Sequence, residues 1–183
     1  MGVSKKIVVI TGSPRKNGNS LALAEAFIKA AEKKGHQVTR YDAAEMTIDG
    51  CTACGSCYTT GQACTFDDDF NQMAPAIEEA DAVVLATPLY WYTFPAKLKA
   101  AIDKFYALVV GKRGLGGKEC ALMVCCEEEA VSALDGIRFA YQHTIDLLEW
   151  KSVGEVLVTS ANAVGDVYKT DGPARAEALA DKF

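Results

Sequence analysis

Short apolar runs alternating with amphipathic stretches constrain this chain most. Ile7-Val8-Val9-Ile10, Ala82-Val83-Val84-Leu85-Ala86 and Cys120-Ala121-Leu122-Met123-Val124 are continuous apolar segments, the pattern of parallel strands covered on both faces. Val38-Thr39-Arg40-Tyr41 and Val156-Leu157-Val158 have more polar surroundings and read as edge strands. Between them the spacing predicts helices over 20–34, 95–110, 130–149 and 173–183. The first carries Leu21, Ala24, Ile28 and Ala31 on one stripe and stops at Gly35, a residue suited to helix ends. The second opens on Pro95 and stops at Gly111, with Leu98, Ile102 and Phe105 as its core stripe. Five strands alternating with helices fit an α/β doubly wound parallel sheet in the order 2-1-3-4-5. In that order the winding reverses between strands 1 and 3, which opens a crevice bordered by the loops at 12–19 and 87–94.

Composition narrows the function classes. A chain of 183 residues, 50% hydrophobic, is expected to form one domain spanning 1–183 with a substantial core. Its net charge of −5 argues against a nucleic-acid partner, which needs a basic face. No apolar run approaches the roughly 20 residues of a membrane span. Met1-Gly2-Val3-Ser4-Lys5-Lys6 leads straight into a strand, so neither a signal peptide nor a myristoylation site is expected. Seven cysteines without such a leader point to reduced thiols in a cytoplasm.

Two segments carry the chemistry. Gly12-Ser13-Pro14-Arg15-Lys16-Asn17-Gly18-Asn19-Ser20 follows a strand and opens a helix, so backbone N–H groups point at whatever sits above. Ser13, Asn17, Asn19 and Ser20 add polar donors, and Arg15 adds a planar fork suited to phosphate. The segment has neither the Gly-Lys-Ser/Thr of a triphosphate loop nor the G-x-G-x-x-G of a dinucleotide site, so a monophosphate is the expected occupant. Across the crevice, Thr87-Pro88-Leu89-Tyr90-Trp91-Tyr92-Thr93-Phe94 offers aromatic faces for a flat heteroaromatic ring; Trp91 and Phe94 read equally well as core or subunit interface.

Cys51, Cys54, Cys57 and Cys64 form a C-x2-C-x2-C-x6-C array. Four thiols at this density suit one compact inorganic centre, while reduced, unligated thiols or zinc stay open as alternatives. Cys120, Cys125 and Cys126 read as small apolar core residues. Asp67, Asp68 and Asp69 read as helix caps. Glu127, Glu128 and Glu129 read as a helix first turn or an acidic rim. His36 reads as solvated and His143 as a surface or interface residue.

Ser-Pro-Arg-x-x-Gly-Asn-Ser at 13–20, Pro-x-Tyr at 88–90 and the helix containing Lys97 and Asp103 resemble the NAD(P)H-dependent FMN reductases of the flavodoxin-like superfamily. The cysteine array before Asp67-Asp68-Asp69 resembles their multimeric flavodoxin and iron–sulfur flavoprotein branch. The resemblance spans residues 6 to about 168. It implies FMN with its phosphate at Ser13, Arg15, Asn19 and Ser20 and its ring against Pro88, Leu89, Tyr90 and Trp91. It further implies a homodimer or homotetramer, NAD(P)H as electron donor and a small acceptor such as a quinone or flavin. Beside the flavin pyrimidine, where many relatives have small, polar or glycine residues, this chain has Cys125-Cys126-Glu127-Glu128-Glu129. No catalytic acid or base is expected, since the flavin carries the chemistry. An iron–sulfur electron carrier exchanging electrons with ferredoxin through a [4Fe–4S] cluster, and a zinc-stapled interaction module without flavin, are the competing readings.

Overall fold

The structure, a computed structural model, describes residues 3–183, so Met1 and Gly2, on which the reading of the N-terminus partly rests, lie outside the described residues. Strands β1 (Lys6–Thr11), β2 (Gln37–Asp42), β3 (Ala82–Pro88), β4 (Glu119–Cys125) and β5 (Lys151–Val158) form one sheet. All neighbours are parallel, in the order β2-β1-β3-β4-β5. This is the flavodoxin-like arrangement the alternation predicts, with the two polar strands at the edges.

Strand residues divide between two cores because successive side chains point to opposite faces. Val8, Ile10, Val83, Leu85, Leu122 and Val124 face α2 (Phe70–Glu79), α3 (Ala96–Asp103), α4 (Tyr106–Gly111) and α5 (Asp135–Leu147). Ile7, Val9, Val84, Ala86, Ala121 and Met123 face α1 (Asn19–Lys33) and α6 (Gly172–Leu179). Among the described residues no helix is long and apolar enough to cross a membrane.

Several boundaries depart from the sequence reading. The expected helix at 95–110 is broken into α3 and α4 at Lys104 and Phe105, where backbone bonds tighten to the i−3 pattern (Phe105 N–H to Ile102 O, 3.0 Å; Ala107 N–H to Lys104 O, 2.9 Å). The break lets the Lys104 ammonium turn inward to the Asp68 carboxylate, and both side chains are nearly out of water at 3% and 6% exposure. Two of the three aspartates do more than cap. Asp68 accepts the N–H of Phe70 at 3.1 Å and of Asp49 at 3.1 Å, while Asp69 accepts that of Thr47 at 2.7 Å. Glu127, Glu128 and Glu129 are not a helix first turn: they lie in the loop after β4, and a short 3-10 turn (Val131–Leu134) precedes α5. Strand β5 starts five positions earlier than expected, since an edge strand tolerates Lys151, Ser152 and Glu155. His36 is half-buried rather than solvated, its Nδ1 accepting the Lys5 N–H at 3.1 Å, whereas His143 is exposed and stacks edge-on against Phe139.

Lys104→Met should destabilise the fold by about 3 kcal/mol, the low end of the cost of breaking a buried ion pair, because two backbone N–H groups still serve Asp68. Urea unfolding measures it; a loss near zero would mean that the pair contributes nothing to stability.

Candidate functional site

The carboxyl ends of β1 and β3 diverge around Gly12. Its N–H donates to Ala86 O at 2.9 Å. A Cβ there would lie 2.5 Å from Thr87 Oγ1 and 2.9 Å from Leu98 Cδ2, so only glycine fits where the two loops part. Beyond it the chain turns: Ser13 Oγ accepts the Arg15 N–H at 3.1 Å, and Gly18 N–H donates to Arg15 O at 3.0 Å. A Cβ on Gly18 would sit 2.7 Å from Ser13 Oγ. Both glycines thus serve close packing of the loop itself.

Helix α1 then begins without any side-chain cap. Its first helical bond runs from Ala22 N–H to Gly18 O, and among the described residues the N–H groups of Asn19, Ser20 and Leu21 donate to nothing. Ser20 is 2% exposed as a residue, and it is part of the cleft lining next to these N–H groups. Such a helix start is a ready anion site. Arg15 lies beside it, its Nη1 3.4 Å from Asn162 O. Asn19 behaves differently from the other polar residues. Its amide donates to Ala161 O (3.2 Å) and Ala163 O (2.9 Å) and accepts from Gly165 and Val167 N–H (3.1 and 3.3 Å). The side chain therefore ties α1 to the segment after β5, leaving only its backbone N–H free for a ligand.

The opposite loop is a tight turn. Tyr90 and Thr93 exchange two backbone bonds of 3.0 Å, and the central residues Trp91 and Tyr92 have φ of 47° and 62°. Both positions are left-handed, which costs an L-residue roughly 1–2 kcal/mol. The turn is held from below by Leu89 N–H donating to Cys125 O at 2.9 Å. At Gly136 a Cβ would come within 2.6 Å of Tyr92 O, so α5 starts against the turn. Phe94 is core, at 4% exposure, and Trp91 is the opposite, at 93%.

A third wall closes the site. Ala161 N–H donates to Cys126 O and Ser160 N–H to Glu128 O, each at 2.8 Å. The result is a cleft of about 510 Å³. Ser13, Arg15, Asn19, Ser20, Pro88, Leu89, Tyr90 and Trp91 all line it; Asn17, exposed on the loop, does not. Cys125, Cys126, Glu127, Glu128, Ala161 and Asn162 line it too. The two cysteines, read as core filler, are buried as expected yet also border the cleft. Burial, then its neighbour Cys126, pushes the Cys125 thiol up to about 12, and burial raises Cys126 as well. Both are neutral thiols near pH 7. Ala161 and Asn162 carry no motif; only the convergence of β4 and β5 at one end of the sheet could have placed them here.

The cysteine array lies elsewhere and shares no lining residue with the cleft. Cys51, Cys54, Cys57 and Cys64 surround a small cavity of about 20 Å³ together with Phe66, Lys104 and Tyr106. The loop is shaped by left-handed residues at Ala53, Gly55, Tyr58 and Gly61. Tyr58 anchors it: the ring lies where a Cβ on Gly111 would be 2.4 Å away, and its hydroxyl donates to Glu78 Oε1 at 2.5 Å. The Arg113 guanidinium covers the ring at 4.4 Å. Burial pushes the Cys57 thiol up, and Cys51, Cys54 and Cys64 add to the shift. Among the described residues no group of three or more His, Cys, Asp or Glu side chains is set to hold a single metal ion.

The sequence profile of the NADPH-dependent FMN reductase family matches residues 5–163. The chain belongs to that family. Among its relatives are an iron–sulfur flavoprotein of Archaeoglobus fulgidus, 38% identical over 99 residues covering 54% of this chain and 44% of that one, and an iron–sulfur flavoprotein of Methanosarcina thermophila, 32% identical over 99 residues covering 54% and 51%. The chain spans about half the length of the curated relatives it matches. Among solved structures, the fold is shared with an NAD(P)H:quinone oxidoreductase from Methanothermobacter marburgensis (TM-score 0.76, 18% identity, covering 97% and 95% of the two chains). It is also shared with an azoreductase from Bacillus anthracis str. Sterne (TM-score 0.72, 18% identity, covering 99% and 100%).

Proposed function

We propose that this family member binds FMN in the cleft and passes electrons from NAD(P)H to a quinone, a flavin or another small acceptor. The observation that carries the reading is the start of α1. Unbonded N–H groups and Ser20 stand at a cleft large enough for a flavin, with Arg15 beside them. Arg15, Ser13, Ser20 and the Asn19 N–H would hold the phosphate. Pro88, Leu89, Tyr90 and Trp91 would orient the ring and keep water from one side of it. FMN supplies the redox chemistry when bound, and the protein's part is placement and electrostatics. The family match and the quinone-reductase and azoreductase neighbours support this reading. Seven free cysteines suit a reducing cytoplasm. Exposed Trp91, Tyr92 and Phe139 suit a homodimer or homotetramer.

Arg15→Ala with Ser20→Ala is expected to weaken FMN binding by roughly 2–4 kcal/mol, because charge-assisted bonds are each worth about 1.5–3 kcal/mol. Calorimetry reads it, and an unchanged affinity moves the phosphate elsewhere. FMN-loaded protein should oxidise NAD(P)H when given a quinone, flavin or ferric acceptor; no oxidation with any of them replaces the enzyme by an electron carrier.

The cysteines favour a second component of the same reading, a [4Fe–4S] cluster on Cys51, Cys54, Cys57 and Cys64. Four thiols meet at one cavity, and two relatives are named iron–sulfur flavoproteins. A cluster gives each thiolate a different iron, so it does not require the tight single-ion grouping that zinc demands. With such a cluster, ferredoxin becomes a fitting partner. Protein made anaerobically with iron and sulfide should carry iron and a broad visible absorbance, and Cys57→Ala should lose both while keeping FMN. Iron at background in the unsubstituted protein would leave the loop a thiol-rich surface element.

A further inference from the structure

The loop after β4 brings charge into the cleft. Glu127 and Glu128 both line it, both are exposed, and among the described residues neither carboxylate makes an ion pair or a hydrogen bond. The loop is held instead through its backbone. Glu128 O accepts from Ser160 N–H at 2.8 Å and from Cys126 Sγ at 3.7 Å. The side chains are therefore free of structural duty. Arg15 is the one cationic residue among those lining the cleft, and it stands beside the open end of α1. Once a phosphate takes up that charge, the remaining wall carries two carboxylates and no compensating cation. Pro88, Leu89 and Tyr90, against which the ring would lie, line the same cleft as this wall.

We propose that Glu127 and Glu128 make the cleft select neutral and cationic electron acceptors over anionic ones. The inference rests on the flavin reading above and adds the substrate class. Like charges at the mouth of a low-dielectric cleft lower the local concentration of an anionic acceptor and raise that of a cation, an effect of about 10- to 1,000-fold on encounter rates at low salt. The same field opposes adding electrons to the ring, so it also lowers the reduction potential of the bound flavin.

The test is stopped-flow oxidation of the reduced, FMN-loaded protein by hexaammineruthenium(III) and by ferricyanide. Each probe ion takes one electron, so two oxidise one reduced flavin, whose protons pass to water. In the unsubstituted protein at low ionic strength the cationic probe is expected to be favoured relative to free reduced FMN, and added salt should erase the preference. Glu127→Gln with Glu128→Gln should reduce the cation-to-anion rate ratio at least about tenfold. It should also raise the flavin midpoint potential, because two negative charges beside the ring are removed. Glu129→Gln, an equal charge change just outside the lining, should do much less. An unchanged ratio, an unchanged potential, or an equal effect from Glu129→Gln overturns the proposal. If the double variant does not keep FMN, the two single variants are read by the same criteria. Failure of the unsubstituted protein to bind FMN is a separate outcome: it removes the flavin reading, and this inference with it.

Discussion

Everything at the cleft depends on how closely β1 and β3 approach at their carboxyl ends. The hydrogen bond from Gly12 N–H to Ala86 O carries the parallel pairing one residue past β1. The Thr87 hydroxyl then fills the space where any Cβ on Gly12 would sit. From this point the two chains must part, one toward the start of α1 and the other toward the turn at 90–93. A doubly wound sheet opens its crevice where the winding reverses, and here that crevice receives an uncapped helix start on one side and an aromatic turn on the other. The turn keeps two aromatic residues in left-handed backbone. Strain of that kind persists only where the surroundings enforce it, and the enforcing groups are Cys125 O beneath Leu89 and Gly136 beneath Tyr92.

The cysteine loop is fastened independently. Its far end is held by the buried Asp68–Lys104 pair and its middle by Tyr58, wedged onto Gly111 and bonded to Glu78. Desolvating two charges is costly and is offset only when the carboxylate has further donors, which the N–H groups of Asp49 and Phe70 provide. Lys104 is also the residue at which the expected long helix breaks, so the ion pair joins the end of the cysteine loop to that break. Four thiols are thereby presented on a loop that is irregular in backbone but fixed at several points.

Much of this was legible in the residues. Continuous apolar runs distinguished β1, β3 and β4 from the polar edges, and the order 2-1-3-4-5 fitted the alternation because it put the two chemically loaded loops at the reversal point. The phosphate-type loop and the 88–91 loop were identifiable because turn residues and aromatics sit directly after strands. What the sequence could not show was side-chain commitment. Asn19 looks like a phosphate donor, yet its amide is spent on the 161–167 segment. Asn17 has the same chemistry but is exposed and is not part of the lining. Glu127, Glu128 and Glu129 have the composition of a helix start, and only the pairing of Ser160 with Glu128 turns them into a cleft wall. Local propensity was overridden at each of these positions by contacts from a distant part of the chain.

In the proposed function, the start of α1 recognises a phosphate attached to a flat ring. Calorimetric titration of the flavin-free protein with FMN and with riboflavin tests it most directly, since the two ligands differ only in that phosphate. FMN is expected to bind at least roughly 100-fold tighter, because two or more charge-assisted bonds are lost with riboflavin and each tenfold is about 1.4 kcal/mol. Equal affinities would contradict it, and would mean that the cleft holds the ring without using the start of α1.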